Sequence, residues 1–294
     1  MSQEMMHKLK QELNDEQLGH YAKLLYRSYN FNLTNKQIWD LIYSSFEGKF
    51  NHIFDCYSRK YVANEAANEL IMTYVPAEKT IKYNFIKNFV DKEDEVTFFE
   101  MYTDSSRVDL CRVNGKSIAY EIKTEIDGLT KLPKQLNDYS KLFEYIYVIT
   151  DEKHIKKVLD IVPFHCGVIK YRFLKGECIF SYKKAALKSP DICPEAQIRN
   201  LSSRDIELIL KKQQINAIPS KKNERINLLL ELYQSKKINS LFKWRLQSKY
   251  AQQWDFVKNH FQEIYPIDIQ PFFHHPIDPD LTYCKPSFSD KVYI

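Results

Sequence analysis

Residues 107–139 read RVDLCRVNGKSIAYEIKTEIDGLTKLPKQLNDY. Asp109 stands twelve residues before Glu121, and Lys123 follows Glu121 after one apolar residue. Two carboxylates can hold a hard divalent cation through oxygen. A nearby ammonium can hold an attacking water or offset charge on a phosphate. Glu-x-Lys alone arises often where charges alternate on a solvated strand. Asp109, then Glu121 and Lys123, then Gln135 and Tyr139, in that order, carry far more information.

Alternation and β-propensity predict strands over 98–102, 107–112 and 117–123. Asn114 and Gly115 between the last two signal a hairpin. A two-residue loop there sets Val108 opposite Glu121 and Asp109 opposite Tyr120, which mixes polar and apolar side chains on each face. A three-residue loop over 113–115, with Gly115 left-handed, sets Val108 opposite Tyr120 and Leu110 opposite Ile118. Asp109, Glu121 and Lys123 then share the other face, with Glu121 opposite Arg107 and Asp109 its diagonal neighbour. A slip of one residue flips a whole face, so the apolar pattern favours the three-residue loop. In the preceding hairpin, a two-residue loop at Asp104 and Ser105 pairs Glu100 with Asp109, and Phe99 and Met101 with Leu110 and Val108. Glu100, Asp109 and Glu121 converge in this register, and such carboxylates repel unless a cation or proton offsets them. The plainer alternative is a solvated sheet face with ordinary charges.

Residues 98–150 resemble the PD-(D/E)XK nuclease superfamily, in particular stand-alone bacterial members with an Arg-x-Asp strand, a Glu-Ile-Lys-Thr strand and a following Gln-x-x-x-Tyr helix. RecB-type nuclease domains share that last element, here Gln135 and Tyr139, one helical turn apart. The resemblance implies three antiparallel strands, a helix, and a strand that pairs parallel. It implies an α/β, restriction-endonuclease-like mixed central sheet flanked by helices, with helical regions on its N- and C-terminal sides. It covers about a third of the chain. The superfamily usually places a further Glu on the helix before the first strand; the helix read over 80–90 offers none, leaving Glu100, Glu69 or Glu65.

The chain has 294 residues, 44% of them hydrophobic, enough for one large domain or two modest cores. The expected division is a helical region over 1–79, a core over 80–186 and a basic helical region over 195–294. No apolar run is long enough to span a membrane, and residues 1–10 lack the apolar stretch of a signal peptide. Cys56, Cys111, Cys166, Cys178, Cys193 and Cys284 form no Cys-x-x-Cys pair, which suits free thiols in a reducing cytoplasm. The net charge of +5 is uneven: residues 199–262 hold thirteen Lys or Arg against five acids. A basic region beside an acidic catalytic region suits a polyanion, although lysines on a soluble helical region give the same count.

Outside the core, Thr34 and Gln37 form a capping box for a helix with Ile38, Leu41, Ile42 and Phe46 at helical spacing. A second helix is expected over 54–74, carrying Glu65 and Glu69. His7, His20 and His52 lack ligand spacing. A helix over 129–143 has Pro133 in its first turn. Residues 144–150 read as a strand buried on both faces. A helix over 151–161 and strands over 167–173 and 177–182, joined across Lys175 and Gly176, follow. Beyond a linker over 188–194, Ser202 caps a helix to 214, then an extended break over 216–220 precedes a helix over 221–233. Helix, extended linker and basic helix loosely resemble SAP-type DNA-binding motifs; a helical hairpin packed on the core is the alternative. A last long helix over 241–261 carries Trp244 and Trp254, which pack in the core or stack on bases. His274, His275, Asp278 and Asp280 hint at a metal in the tail.

The expected activity is metal-dependent hydrolysis of DNA. Glu100, Asp109 and Glu121 hold Mg2+, with Mn2+ as substitute. Lys123 orients the water or stabilises the phosphorane. Arg107 grips phosphate or neutralises Glu121. Gln135 and Tyr139 position the strand end or the lysine. Glu125 and Asp127 support the metal shell or are solvated. Lys221, Lys222 and Arg225 contact DNA. The rival readings are a non-catalytic nucleic-acid-binding or assembly module on the same fold, and an RNA nuclease. DNA is the expected partner, beside a second copy of the chain or a partner protein, since no P-loop is present to drive an ATP-dependent step. Such an activity suits repair or defence against foreign DNA.

Overall fold

The structure is a computed structural model that describes residues 2–174 and 176–283; Lys175 and Cys284 lie outside the described residues. The order is α1 (Ser2–Glu12), α2 (Asp15–Ser28), α3 (Asn35–Ser45), α4 (Asn51–Ser58), α5 (Ala63–Tyr74), α6 (Glu78–Ile86), β1 (Val96–Tyr102), β2 (Arg107–Val113) and β3 (Ser117–Lys123). It continues α7 (Leu132–Ser140), β4 (Tyr145–Thr150), α8 (Ile155–Ile161), β5 (Gly167–Leu174), β6 (Glu177–Lys184), α9 (Pro194–Asn200) and α10 (Ser203–Lys212). It ends with α11 (Lys222–Leu232), α12 (Ser235–Asn259), a 3-10 turn (Pro266–Asp268), α13 (Ile269–His274) and α14 (Pro279–Tyr283). No helix among the described residues is long and apolar enough to cross a membrane.

The chain forms two compact units that interleave in sequence. One takes Met1–Asp91, Phe173–Ile179 and Phe256–Ile294; the other takes Lys92–Arg172 and Phe180–Asp255. The boundaries expected near 79 and 195 therefore move, and the basic C-terminal region divides between the two units.

In the first unit, α1 to α5 bury Leu9, Leu18, Leu25, Ile42, Phe46, Phe54, Leu70 and Ile71 completely. The Thr34 and Gln37 capping box forms, and a second one forms at Asn14 and Gln17. The single helix expected over 54–74 is two helices. The break frees Tyr61 and Ala63 for other partners: Tyr61 O accepts from Trp39 Nε1 at 3.4 Å, and Ala63 N donates to Asn35 Oδ1 at 2.6 Å. The C-terminal segment is tied to these helices by a buried carboxylate: Asp268 accepts from Tyr29 OH at 2.9 Å and Tyr283 OH at 3.1 Å.

The second unit is built on a six-stranded mixed sheet, ordered β1-β2-β3-β4-β5-β6. β1, β2 and β3 pair antiparallel, and β3-β4 and β4-β5 pair parallel. The β1-β2 register matches the reading, with Phe99 opposite Leu110 and Met101 opposite Val108. Thr103 N donates to Ser106 O at 2.8 Å, closing a two-residue turn at Asp104 and Ser105. The β2-β3 register differs from the reading. Leu110 lies opposite Tyr120 and Val113 opposite Ser117, so the three-residue loop is 114–116, not 113–115. Gly115 sits at its centre at φ +82°. The shift changes which residues are opposed and leaves every side chain on its predicted face, because the pairing moved by two residues. Val108, Leu110, Tyr120 and Ile122 are buried on one face. The other face is covered as well: Phe98 stacks on Tyr250 of α12 at 4.3 Å between ring centroids.

Candidate active site

One end of that second face carries the residues singled out by the motif. The β2-β3 ladder ends with Leu110 opposite Tyr120, and Asp109 and Glu121 come immediately beyond that pair on their two strands. Asp109 is nearly buried, and its Oδ2 accepts from Ile122 N at 2.7 Å. Glu121 is 1% exposed. Its Oε1 accepts from Lys123 Nζ at 2.6 Å and Gln135 Nε2 at 2.6 Å, and its Oε2 from Tyr139 OH at 2.7 Å. Gln135 and Tyr139 reach it from α7, whose first turn contains Pro133 and whose apolar residues Leu132 and Leu136 are fully buried.

Burial raises the Glu121 carboxyl above its ordinary pKa, against the pull of Lys123, Tyr139 and Gln135. Burial, followed by the charge of Glu121, raises the Tyr139 hydroxyl far above its usual range. Tyr139 OH also lies 2.7 Å from Arg107 O. A single hydroxyl proton cannot serve Glu121 and a carbonyl fully at once. A protonated Glu121 donates to Tyr139, which then donates to Arg107 O; an ionised Glu121 draws the tyrosine proton to itself.

Glu100 is the third carboxylate. Its oxygen and one of Asp109 lie within 4.8 Å of one another, close enough to share a cation. Glu100 has φ +57° inside β1, a left-handed conformation that non-glycine residues adopt at a cost. The ladder keeps one register on both sides of it, so no residue is inserted; Glu100 alone turns out of the strand geometry. Arg107 Nε pairs with Glu100 Oε2 at 2.5 Å. Of the three carboxylates expected to hold a metal, Glu121 has both oxygens engaged by protein donors, while Glu100 and Asp109 bring an oxygen each to one place. Hard oxygen donors at this spacing fit Mg2+ or Mn2+.

Other singled-out residues lie elsewhere. Asp127 closes the turn after β3, with Oδ2 accepting from Thr124 N and Thr124 Oγ1, each at 2.7 Å. Glu125 pairs with Lys153. Lys221 is exposed and Lys222 Nζ donates to Arg199 O at 3.0 Å. Arg225 is a correction: its guanidinium is 13% exposed and binds Pro219 O at 2.6 Å, Ser203 O at 3.1 Å and Glu207 Oε2 at 3.3 Å, fastening α11 to α10. Trp254 is fully buried, and Lys212 Nζ lies 4.4 Å above the Trp244 ring. His274, His275, Asp278 and Asp280 are exposed and form no common ligand group among the described residues. α6 starts at Glu78 and not at 80, so the helix before β1 does carry a Glu, which pairs with Lys82 at 2.5 Å. The start was missed because Ala77 provides no side-chain cap. Glu144 was also missed. It holds Ser117 N at 3.0 Å, Asn239 Nδ2 at 2.9 Å and Lys243 Nζ at 3.0 Å, joining β3 and β4 to α12. Nothing local marks it, since its partners lie up to about a hundred residues away.

The family described as Bacteriophage P4 protein cII matches residues 73–272, more than half of the chain. The chain belongs to this family. The matched span takes in all six strands and Glu100, Asp109, Glu121, Lys123, Gln135 and Tyr139. No curated protein and no solved structure matches the chain.

Proposed function

We propose that this member of the phage P4 cII family is a metal-dependent deoxyribonuclease with a restriction-endonuclease-like core of the PD-(D/E)XK type. The observation that carries the reading is the convergence of Asp109, Glu121 and Lys123 at one end of one sheet face, with Gln135 and Tyr139 both bound to Glu121. Three antiparallel strands, a helix and a parallel strand support it further.

Glu100 and Asp109 would hold Mg2+, which would supply positive charge to the scissile phosphate and acidify the attacking water. The chain's own groups do the rest. Glu121, fixed by Tyr139 and Gln135, aims the Lys123 ammonium along the sheet face. Lys123 orients the water and meets the negative charge that develops on the phosphoryl oxygens. Arg107, half-exposed and paired with Glu100, is placed to exchange that partner for a phosphate oxygen. Ile122 N–H holds Asp109 in one rotamer, so the carboxylate is oriented before substrate arrives.

One observation favours a second reading, a metal-free nucleic-acid-binding module: both Glu121 oxygens already accept protein hydrogen bonds. Digestion of linear, circular and single-stranded DNA, and of RNA, with Mg2+, Mn2+ or EDTA separates the two. Cleavage of DNA that EDTA stops supports the enzyme. Binding with no cleavage under any metal supports the module, and cleavage of RNA alone moves the substrate assignment.

A further inference from the structure

We infer that the second unit carries a nucleobase subsite beside the proposed catalytic end, with Tyr102 as its stacking platform. The inference builds on the nuclease reading by assigning the position of the strand that flanks the cleaved bond. Tyr102 ends β1, two residues beyond Glu100 and so on the same sheet face. An aromatic ring of this size is ordinarily covered, yet Tyr102 is 71% exposed. Its ring lies 6.0 Å from the Arg107 guanidinium, which pairs in turn with Glu100. Stacked ring, guanidinium and carboxylate therefore form one continuous row from the open surface to the catalytic end.

Tyr102 also forms a wall of a cleft of about 510 Å³ that includes Asp104, Asp138, Lys141, Arg199 and Asn200. The floor is held still. Asn200 Nδ2 donates to Tyr102 O at 3.1 Å, and Asp138 Oδ2 accepts from Ser106 Oγ at 2.6 Å and Ser105 Oγ at 2.9 Å. The chemistry is mixed in the way a nucleotide demands. The ring offers a π-face to a base, the carboxylates and the amide offer hydrogen-bond partners to a base edge, and Lys141, joined by Arg199 when it exchanges its partner Glu195 Oε1 at 2.7 Å, offers charge to the next phosphate. A base can reach such a cleft only when unpaired, so the subsite selects single-stranded or frayed DNA.

The test uses full-length protein and a fluorescein-labelled oligo-dT strand in EDTA, so that binding is read without cleavage. A parallel strand carries 2-aminopurine, whose emission falls when the base stacks. Tyr102→Ala should weaken binding by roughly tenfold and abolish the quench, whereas Tyr102→Trp should retain both. Arg199→Ala should lower the salt slope by about one phosphate contact and leave the quench in place. Equal affinity and equal quench in Tyr102→Ala overturns the subsite, as does absence of any binding by the unaltered protein. Metal-dependent cleavage of DNA is scored separately. Cleavage with an unaltered Tyr102→Ala sinks the subsite and leaves the nuclease; loss of binding in Tyr102→Ala with no cleavage by the unaltered protein keeps the subsite and sinks the nuclease.

Discussion

At the scale of single residues, two carboxylates are held at a cost. Glu100 stands at φ +57° in a strand, and such conformations persist where the surroundings impose them. Glu100→Gly relieves the strain while removing the carboxylate that faces Asp109. Its stability in urea should equal that of the unaltered protein or exceed it by up to about 1 kcal/mol, while DNA cleavage is lost. A variant less stable than the unaltered protein would contradict the strain. Asp268 is fully buried, and burial raises its pKa to about 6 even though Tyr29 and Tyr283 donate to it. The folded state then keeps a proton that the unfolded state releases near pH 4. Stability from this group is complete below about pH 4 and falls as pH rises to 6, by about 3 kcal/mol. In Asp268→Asn that fall should vanish, which denaturant midpoints at pH 4 and pH 7 will show. An unchanged pH dependence would place the titrating group elsewhere.

At the scale of elements, what could be read from sequence follows from what alternation encodes. Period-two patterning states which face a residue occupies, and Val108, Leu110, Tyr120 and Ile122 share one face while Asp109, Glu121 and Lys123 share the other, as the pattern requires. It does not state which residues are opposed. Pairing Val108 with Tyr120 or Leu110 with Tyr120 puts the same side chains on the same faces, and only the loop geometry chose the second. The same logic explains Gln135 and Tyr139: helical spacing set them on one face, but their shared partner Glu121 depended on tertiary packing. Charge counting fared worst with Arg225. A basic helix reads as a surface for polyanions, and nothing within α11 tells that this guanidinium is consumed by Ser203, Glu207 and Pro219. Arg225→Ala leaves the part-buried acceptors Pro219 O, Ser203 O and Glu207 Oε2 without this donor. It should cost about 2 kcal/mol in urea unfolding and leave the salt dependence of DNA binding unchanged. A reduced salt slope at full stability would restore Arg225 to the DNA-contacting surface.

At the scale of the whole molecule, the chain builds two compact units from interleaved segments, a division that a linear reading into three regions does not contain. Interleaving is invisible to composition, because residues 173–179 and 256–283 join the first unit by contacts across long sequence distances. The apolar run over 144–150 was legible as a strand buried on both faces, and its parallel pairing with β3 was what the resemblance implied. The account's central claim is that this sheet face performs metal-assisted phosphodiester cleavage. The most direct test is Mg2+-dependent DNA cleavage by Asp109→Asn, an isosteric change that can still accept from Ile122 N. The account predicts at least a hundredfold loss of cleavage with an unchanged melting temperature, beside an active unaltered protein. Undiminished cleavage by folded Asp109→Asn, or no metal-dependent cleavage by the unaltered chain, would contradict it.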